Sequence, residues 1–368
     1  VTTNQTILLT GFPGFIAGRL LIRLARDQFK FLLLVQPSLV AQATLELAEI
    51  AAATSRPLED FTIVKGDITE PELGLSKDAL DRARSETNII FHLAALYDLA
   101  VKVEPARRVN LLGTQNVNSF ARSLSNLSHY HYISTCYVAG KRQGRILETE
   151  LVHQSGFRNH YEETKYLAEL EVERLKLELP VTIHRPAVVC GDSHSGETAK
   201  YDGIYYLIHY LLRWPKVLTL FNIGNKSVRL NLVPVDFVVA ALASLACDES
   251  VRGKTLQLAD PNPLTTEEIF DVIAQTIQGR ESVLTLPARL VELTLMSPPS
   301  PAITGLPHHG VPYFFLRQTY DTSEAAARLS KHQLSCPPFT SYVRSIVDFA
   351  ASHPKLPAKL LNSAGKLP

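Results

Sequence analysis

Tyr161 and Lys165 stand four residues apart in Tyr161-Glu162-Glu163-Thr164-Lys165, at the start of a stretch whose pattern predicts an amphipathic helix running to about Leu179. That spacing puts both side chains on one helix face. A phenol titrates near ~10 and is a poor acid at neutral pH, but a neighbouring ammonium favours the phenolate and makes tyrosine a usable proton donor. About 25 residues earlier, the pair Ser134-Thr135 closes an apolar run and offers a hydroxyl to a carbonyl oxygen on which negative charge develops. Together these residues suit proton transfer to or from a carbonyl. On its own, Tyr-x-x-x-Lys is common on solvated helices, so the elements around it decide its meaning.

The most specific of those elements is Ile7 to Leu24, ILLTGFPGFIAGRLLIRL. Ile7, Leu8 and Leu9 suit a strand covered on both faces, while Leu20, Leu21 and Leu24 follow at helical spacing. Gly11, Gly14 and Gly18 lie between or just beyond them. A tight strand-to-helix turn needs glycine conformations, a bare backbone at Gly14 lets a diphosphate approach closely, and the helix N-terminus offers N–H groups to an anion. The spacing is Gly11-x-x-Gly14-x-x-Ala17, not the commoner G-x-G-x-x-G.

Strand-like and helix-like segments then alternate. Phe31–Val35, Phe61–Val64, Asn88–Leu93 and Tyr130–Ser134 read as further buried strands, with a helix predicted over Leu39–Ala53 and another opening at Val109–Thr114. This order predicts an α/β fold, a doubly wound parallel sheet of the Rossmann kind. Gln36 ends the second strand where an acid would select NAD and a nearby arginine NADP; with neither present, and with Ser38 able to donate to a phosphate, NADP is favoured over NAD. Asp67, after the third strand, is placed to accept from an adenine amino group or, equally, to cap a turn. Ala94 and Ala95 are small enough for a cofactor to lie on the backbone.

These pieces resemble the extended branch of the short-chain dehydrogenase/reductase superfamily over nearly the whole chain. The matching segments are TGFPGFIA (10–17), GDIT (66–69), FHLAA (91–95), VNLLGT (109–114), YISTCYVAG (132–140), YEETK (161–165) and RPAVVCGD (185–192). The resemblance implies that Tyr161 is the proton donor or acceptor, that Lys165 holds the nicotinamide ribose and tunes the tyrosine, and that Thr135, with Ser134 as fallback, is the catalytic hydroxyl. It implies diphosphate contacts from Thr10, Gly11, Gly14, Phe15 and Ile16, and adenine contacts from Asp67 and Ile68. Ala94 and Ala95 then lie beside the ribose, and Asn110, Pro186, Ala187 and Val188 complete the envelope. Ala17 stands where many members have a third glycine, and Gln36 departs from the usual selecting residue. Within the branch, the region after Gly191 is similar to thioester and fatty-acyl reductases, which implies an acyl thioester, apolar aldehyde or ketone as substrate. The alternatives are a nucleotide-sugar epimerase or dehydratase that retains NAD, and a non-catalytic NAD(P) sensor.

Composition narrows the partners. The chain has 368 residues with 37 Lys and Arg against 36 Asp and Glu, and no long basic run, which disfavours nucleic acid. Cys136, Cys190, Cys247 and Cys336 are scattered without metal or disulfide spacing, and VTTNQ leads into the first strand without the pattern of a signal peptide; a cytoplasmic setting is expected, with no metal. Ile204 to Phe221 is apolar but holds His209, Arg213, Pro215 and Lys216, a poor membrane span and a better pocket wall or core helix.

The expected division is a cofactor domain over 1–190, rejoined by 231–260, with a smaller, sequence-discontinuous substrate region over 191–230 and 261–355 and a frayed tail over 356–368. Ser297–Pro312, with five prolines, is expected to be irregular, and its His308-His309 pair to be loop surface. A homodimer is expected only from the resemblance.

Overall fold

In the computed structural model, which describes residues 5–356, the alternation of buried apolar runs with amphipathic segments produces one parallel sheet. Its strands are β1 (Thr6–Thr10), β2 (Lys30–Val35), β3 (Phe61–Lys65), β4 (Thr87–His92), β5 (His129–Ile133), β6 (Val181–Pro186) and β7 (Thr255–Leu258). Their order is β7-β6-β5-β4-β1-β2-β3, and every neighbouring pair is parallel. Parallel strands need crossover helices, and these cover both faces. The fold is therefore the doubly wound α/β architecture, with its switch point between β1 and β4.

The period-two geometry of the strands sorts the core into two layers. Ile7, Leu9, Phe31, Leu33 and Phe91 face α1 (Phe15–Leu24), α2 (Val40–Thr54) and α7 (Val235–Ser244). Leu8, Leu32, Ile90, Tyr130 and Ile183 face α3 (Lys77–Glu86), α4 (Gly113–Arg122) and α5 (His160–Leu175). Helix α5 stops at Leu175, short of the expected Leu179, because the chain must turn before Pro180 to enter β6.

Segments from the second half of the chain complete this layer structure: β7 pairs with β6 at the sheet edge, and α7 packs on α1. A separate apolar cluster joins α6 (Ile204–Arg213), α8 (Thr266–Gln278) and α10 (Phe339–Ser352). The apolar tract after Ile204 breaks at Trp214-Pro215, and among the described residues no helix is long and apolar enough to cross a membrane. Ser300–Thr304 and His308–Phe315 form only short helical turns, and His308 and His309 are exposed. Residues 357–368 of the expected tail lie outside the described residues.

One element is capped across the fold. Before α9 (Ser323–Leu329) the sequence offers Asp321, Thr322 and Ser323, but Thr322 makes no side-chain cap. Glu148, buried, instead accepts the N–H groups of Glu324 and Ala325 at 2.7 and 3.1 Å and that of Gln257 in β7 at 2.8 Å. A carboxylate at a helix N-terminus is favoured by the orphan donors and the dipole.

Candidate active site

The turn after β1 is built from glycine. Gly11 has φ +91°, and a Cβ there would lie 2.8 Å from the backbone nitrogen of Ala94. Gly14 has an ordinary extended φ of −86°, and a Cβ on it would strike the Gly11 carbonyl oxygen at 2.6 Å. Its bareness thus serves the turn itself, a steric reason distinct from the expected approach of a diphosphate. Helix α1 opens with no side-chain cap and no acidic residue in its first turn. Gly11, Gly14, Phe15 and Ile16 at this helix start all line the cleft, an arrangement that fits an anionic diphosphate. Ala17 is buried against the core, filling the close-packed place without glycine.

A buried histidine that sequence reasoning passed over holds this turn to β4. Thr114 gives its proton to the Asn110 carbonyl at 2.7 Å, so it accepts from His92 Nε2 at 3.2 Å; His92 Nδ1 then accepts from the Thr10 hydroxyl at 2.8 Å, and Thr10 accepts from the Ala94 N–H at 3.1 Å. Burial, with the Lys165 charge nearby, lowers the His92 pKa to about 3, so the ring is neutral as this chain of bonds requires. Asn110 is buried and bonds the Leu96 N–H at 2.7 Å, the Leu96 carbonyl at 3.3 Å and the Thr164 hydroxyl at 3.1 Å. It braces the 94–96 loop against α5 from behind; it does not line the cleft.

At the adenosine end, Gln36 and Ile68 line the cleft. Asp67 does not: its carboxylate accepts from the Gln36 amide at 3.0 Å and from the Thr69 N–H at 2.8 Å, closing the loop after β3. Ser38 is exposed beyond the lining. Ala94, Ala95, Pro186, Ala187 and Val188 all reach the cleft wall.

At the other end the tertiary structure brings Thr135, Tyr161 and Lys165 together on one wall. The Thr135 hydroxyl lies close enough to the Tyr161 phenol to influence its titration, and it accepts the Tyr137 N–H at 3.2 Å. Burial raises the Tyr161 pKa, and the nearby Thr135 hydroxyl works against that rise. Lys165 does not point at the phenol. Its ammonium donates to the Tyr132 hydroxyl at 2.9 Å and the Ile133 carbonyl at 2.8 Å, and burial lowers its pKa to about 7 while Glu169 pulls the other way. The expected tuning of Tyr161 by Lys165 is therefore not a direct contact here; the hydroxyl of Thr135 is what eases the tyrosine.

Ser134 is engaged elsewhere. Its hydroxyl donates to the buried Glu169 carboxylate, which is paired with Arg185 at 2.6 and 2.8 Å. Glu169 sits one helical turn beyond Lys165, so its face was legible in the sequence, but its partner on β6 was not.

The whole site is one cleft of about 390 Å³ running from the β1 turn to Tyr161 and on to the 191–203 loop. This loop is fastened to the cofactor side, since Arg19 of α1 binds Asp192 and Glu197, each at 3.0 Å. It delivers Thr198, Ala199, Lys200 and Asp202 to the cleft, and Tyr97 and Tyr137 face them from other loops. The expected substrate region over 191–230 holds the loop, but no signal in the sequence singled out these particular residues.

Against known proteins, residues 9–242 match an NAD-binding family model described as male sterility protein. The chain is 26% identical over 288 residues to a glycine betaine reductase of Emericella nidulans, covering 74% of this chain and 22% of that protein. It is 26% identical over 282 residues to a fatty acyl-CoA reductase of Drosophila melanogaster, covering 67% and 54%. It thus spans well under two thirds of the length of either. Among solved structures, the terminal R domain of the myxalamid biosynthetic pathway superposes with a TM-score of 0.80 at 25% identity, over 97% of this chain and 93% of that one. UDP-glucuronic acid 4-epimerase of Bacillus cereus, in complex with NAD, shares the fold with a TM-score of 0.65 at 19% identity.

Proposed function

The chain belongs to the NAD-binding family described as male sterility protein, within the extended short-chain dehydrogenases/reductases, and from that premise we propose that it is a nicotinamide-dependent reductase of acyl thioesters or aldehydes. The observation that carries this reading is one continuous cleft holding an uncapped helix N-terminus at one end and Thr135, Tyr161 and Lys165 together at the other. When bound, the nicotinamide supplies the hydride. The chain's own residues then bind, orient and move the proton.

The α1 N-terminus receives the diphosphate and the small side chains of Ala94 and Ala95 admit the ribose. Thr135 donates to the substrate oxygen, and Tyr161 gives it the proton as negative charge develops there. Lys165, fixed by Tyr132 and Ile133, presents its remaining N–H to the ribose and keeps positive charge beneath the tyrosine. Thr135 is preferred to Ser134 as the catalytic hydroxyl because the latter is spent on Glu169. With a thioester, the thiol leaves and an aldehyde results. Reductase names among the relatives favour this reading over an epimerase, whose likeness is one of fold.

We assign the cofactor to NADP in preference to NAD, because the residue lining the β2 end is Gln36 and the nearby Asp67 carboxylate is already bonded. The substrate region is assigned to 191–230 and 261–355, around the α6, α8 and α10 cluster. The test is oxidation of NADPH, followed at the nicotinamide absorbance, with acyl thioesters and aldehydes. In Tyr161→Phe the rate is expected to fall about 10²- to 10⁴-fold, the usual worth of a positioned proton donor, with dinucleotide binding retained. Full turnover in that variant refutes the assigned role.

A further inference from the structure

The substrate end of the cleft carries a group that hydride and proton transfer do not use. Asp202, at the close of the 191–203 loop, lines the cleft with its side chain 21% exposed, and Tyr97 lines the cleft beside it. The ring of Tyr97 stands edge-on to that of Tyr161, with centroids 5.1 Å apart. Tyr137 lines the same wall and packs with Tyr161 in one apolar cluster. A carboxylate edged by tyrosine rings is a receptor for a cation, since the ring faces and the carboxylate present negative potential together.

The chain already places a cation there. The Lys200 ammonium lies 4.8 Å from the Tyr97 ring centroid and 3.6 Å from an Asp202 carboxylate oxygen. Its side chain is 49% exposed, on a loop, so it can move into water at little cost. A substrate tail entering this corner meets two alternatives. An alkyl tail would strip water from the Asp202–Lys200 pair and offer no polar contact in return, which is unfavourable. An ammonium would replace the Lys200 ammonium like for like.

We propose that the Tyr97–Asp202 corner, with Lys200 as its resident cation, is a specificity subsite for carbonyl substrates that carry an ammonium group on the acyl side. This rests on the reductase reading, which sets the reacting carbonyl at Tyr161. It departs from the apolar substrate that the sequence suggests.

The test compares an aldehyde ending in a trimethylammonium group with its uncharged tert-butyl isostere, under saturating NADPH. A quaternary group is the suitable probe because it neither titrates nor condenses with its own aldehyde. In the wild-type protein kcat/KM is expected to favour the ammonium compound by about tenfold or more, as a desolvated cation–aromatic contact would give. Asp202→Asn is expected to abolish that preference. Lys200→Ala, which removes the resident competitor, is expected to tighten ammonium binding severalfold by calorimetric titration, and this arm stands even if Asp202→Asn does not fold.

Equal or better use of the tert-butyl compound by the wild type overturns the subsite while leaving the reductase reading intact. So does retention of the preference in Asp202→Asn, or unchanged ammonium affinity in Lys200→Ala. If neither these aldehydes nor the acyl thioesters oxidise NADPH, the reductase reading fails. The subsite then stands or falls on the titration of the trimethylammonium compound against the isostere.

Discussion

Lys165 shows how one residue's setting becomes a pH dependence. Its pKa is lowered to about 7, by burial first, with the Glu169 carboxylate opposing. The charged form is therefore present below about pH 7 and lost as pH rises through it. If the ammonium supports proton transfer, kcat/KM at saturating cofactor is expected to fall along an alkaline limb near pH 7. A Glu169→Gln substitution removes the opposing carboxylate and should move that limb to lower pH, whereas a flat profile from pH ~6 to ~9 in both proteins would separate Lys165 charge from catalysis. The lysine and its helical spacing to Tyr161 were readable in the sequence. That its donors go to Tyr132 and Ile133 was not, because both partners lie on a strand about thirty residues away that only the sheet brings alongside.

Among the elements, the β1–α1 turn separates two kinds of glycine. At Gly11 the φ of +91° is one that L side chains rarely adopt, and an added Cβ would press on the Ala94 backbone. Gly11→Ala is expected to cost roughly 1–3 kcal/mol from strain alone, with a lower thermal midpoint and weakened dinucleotide binding. At Gly18, inside α1, an added Cβ meets only the Glu46 carboxylate end at 2.6 Å, which can shift, and alanine gains about 1 kcal/mol of helix propensity over glycine. Gly18→Ala should change the melting temperature little. A reversal of this order would show that the turn is not what those residues stabilise. The α9 cap makes the complementary point, since Thr322 at the helix start makes no side-chain cap while Glu148 accepts the N–H of Glu324, 176 residues away.

On the scale of the molecule, the sheet buries a stack of neutral histidines. His131 donates from Nε2 to the Ala246 carbonyl at 3.1 Å, so its Nδ1 must accept from His184 Nε2 at 3.0 Å. Thr182 gives its proton to the Val251 carbonyl and so accepts from His129 Nε2 at 2.7 Å. The second nitrogens of His129 and His184 are left without partners. Burial holds all three below the usual histidine range, His129 at about 3 like His92, with neighbouring positive charge or rings adding to it.

The unfolded chain binds these protons near pH 6.5 and the folded chain does not. Stability is then full above about pH 6.5 and lost as pH falls from there towards 3, by up to roughly 1.4 kcal/mol per pH unit for each histidine. The urea midpoint is expected to drop steeply between about pH 7 and 5; a midpoint unchanged over that range would mean that the stack is not buried as a neutral unit.

By itself, the sequence determined the parallel α/β sheet, its glycine turn and the Tyr161–Lys165 pair, because each is written in local periodicity or in a spacing within a few turns of chain. Tertiary structure alone committed Ser134, the fallback hydroxyl, to the Glu169–Arg185 pair. It also turned Asp67 into a loop lock, set Asn110 behind the cofactor loop and carried Asp202 and Lys200 to face Tyr97. Those outcomes depend on which strand lies beside which, and on where a loop tied down by Arg19 comes to rest. Contacts between residues a hundred positions apart leave no periodic trace in either partner, so the physical competition that decides them exists only in the folded chain.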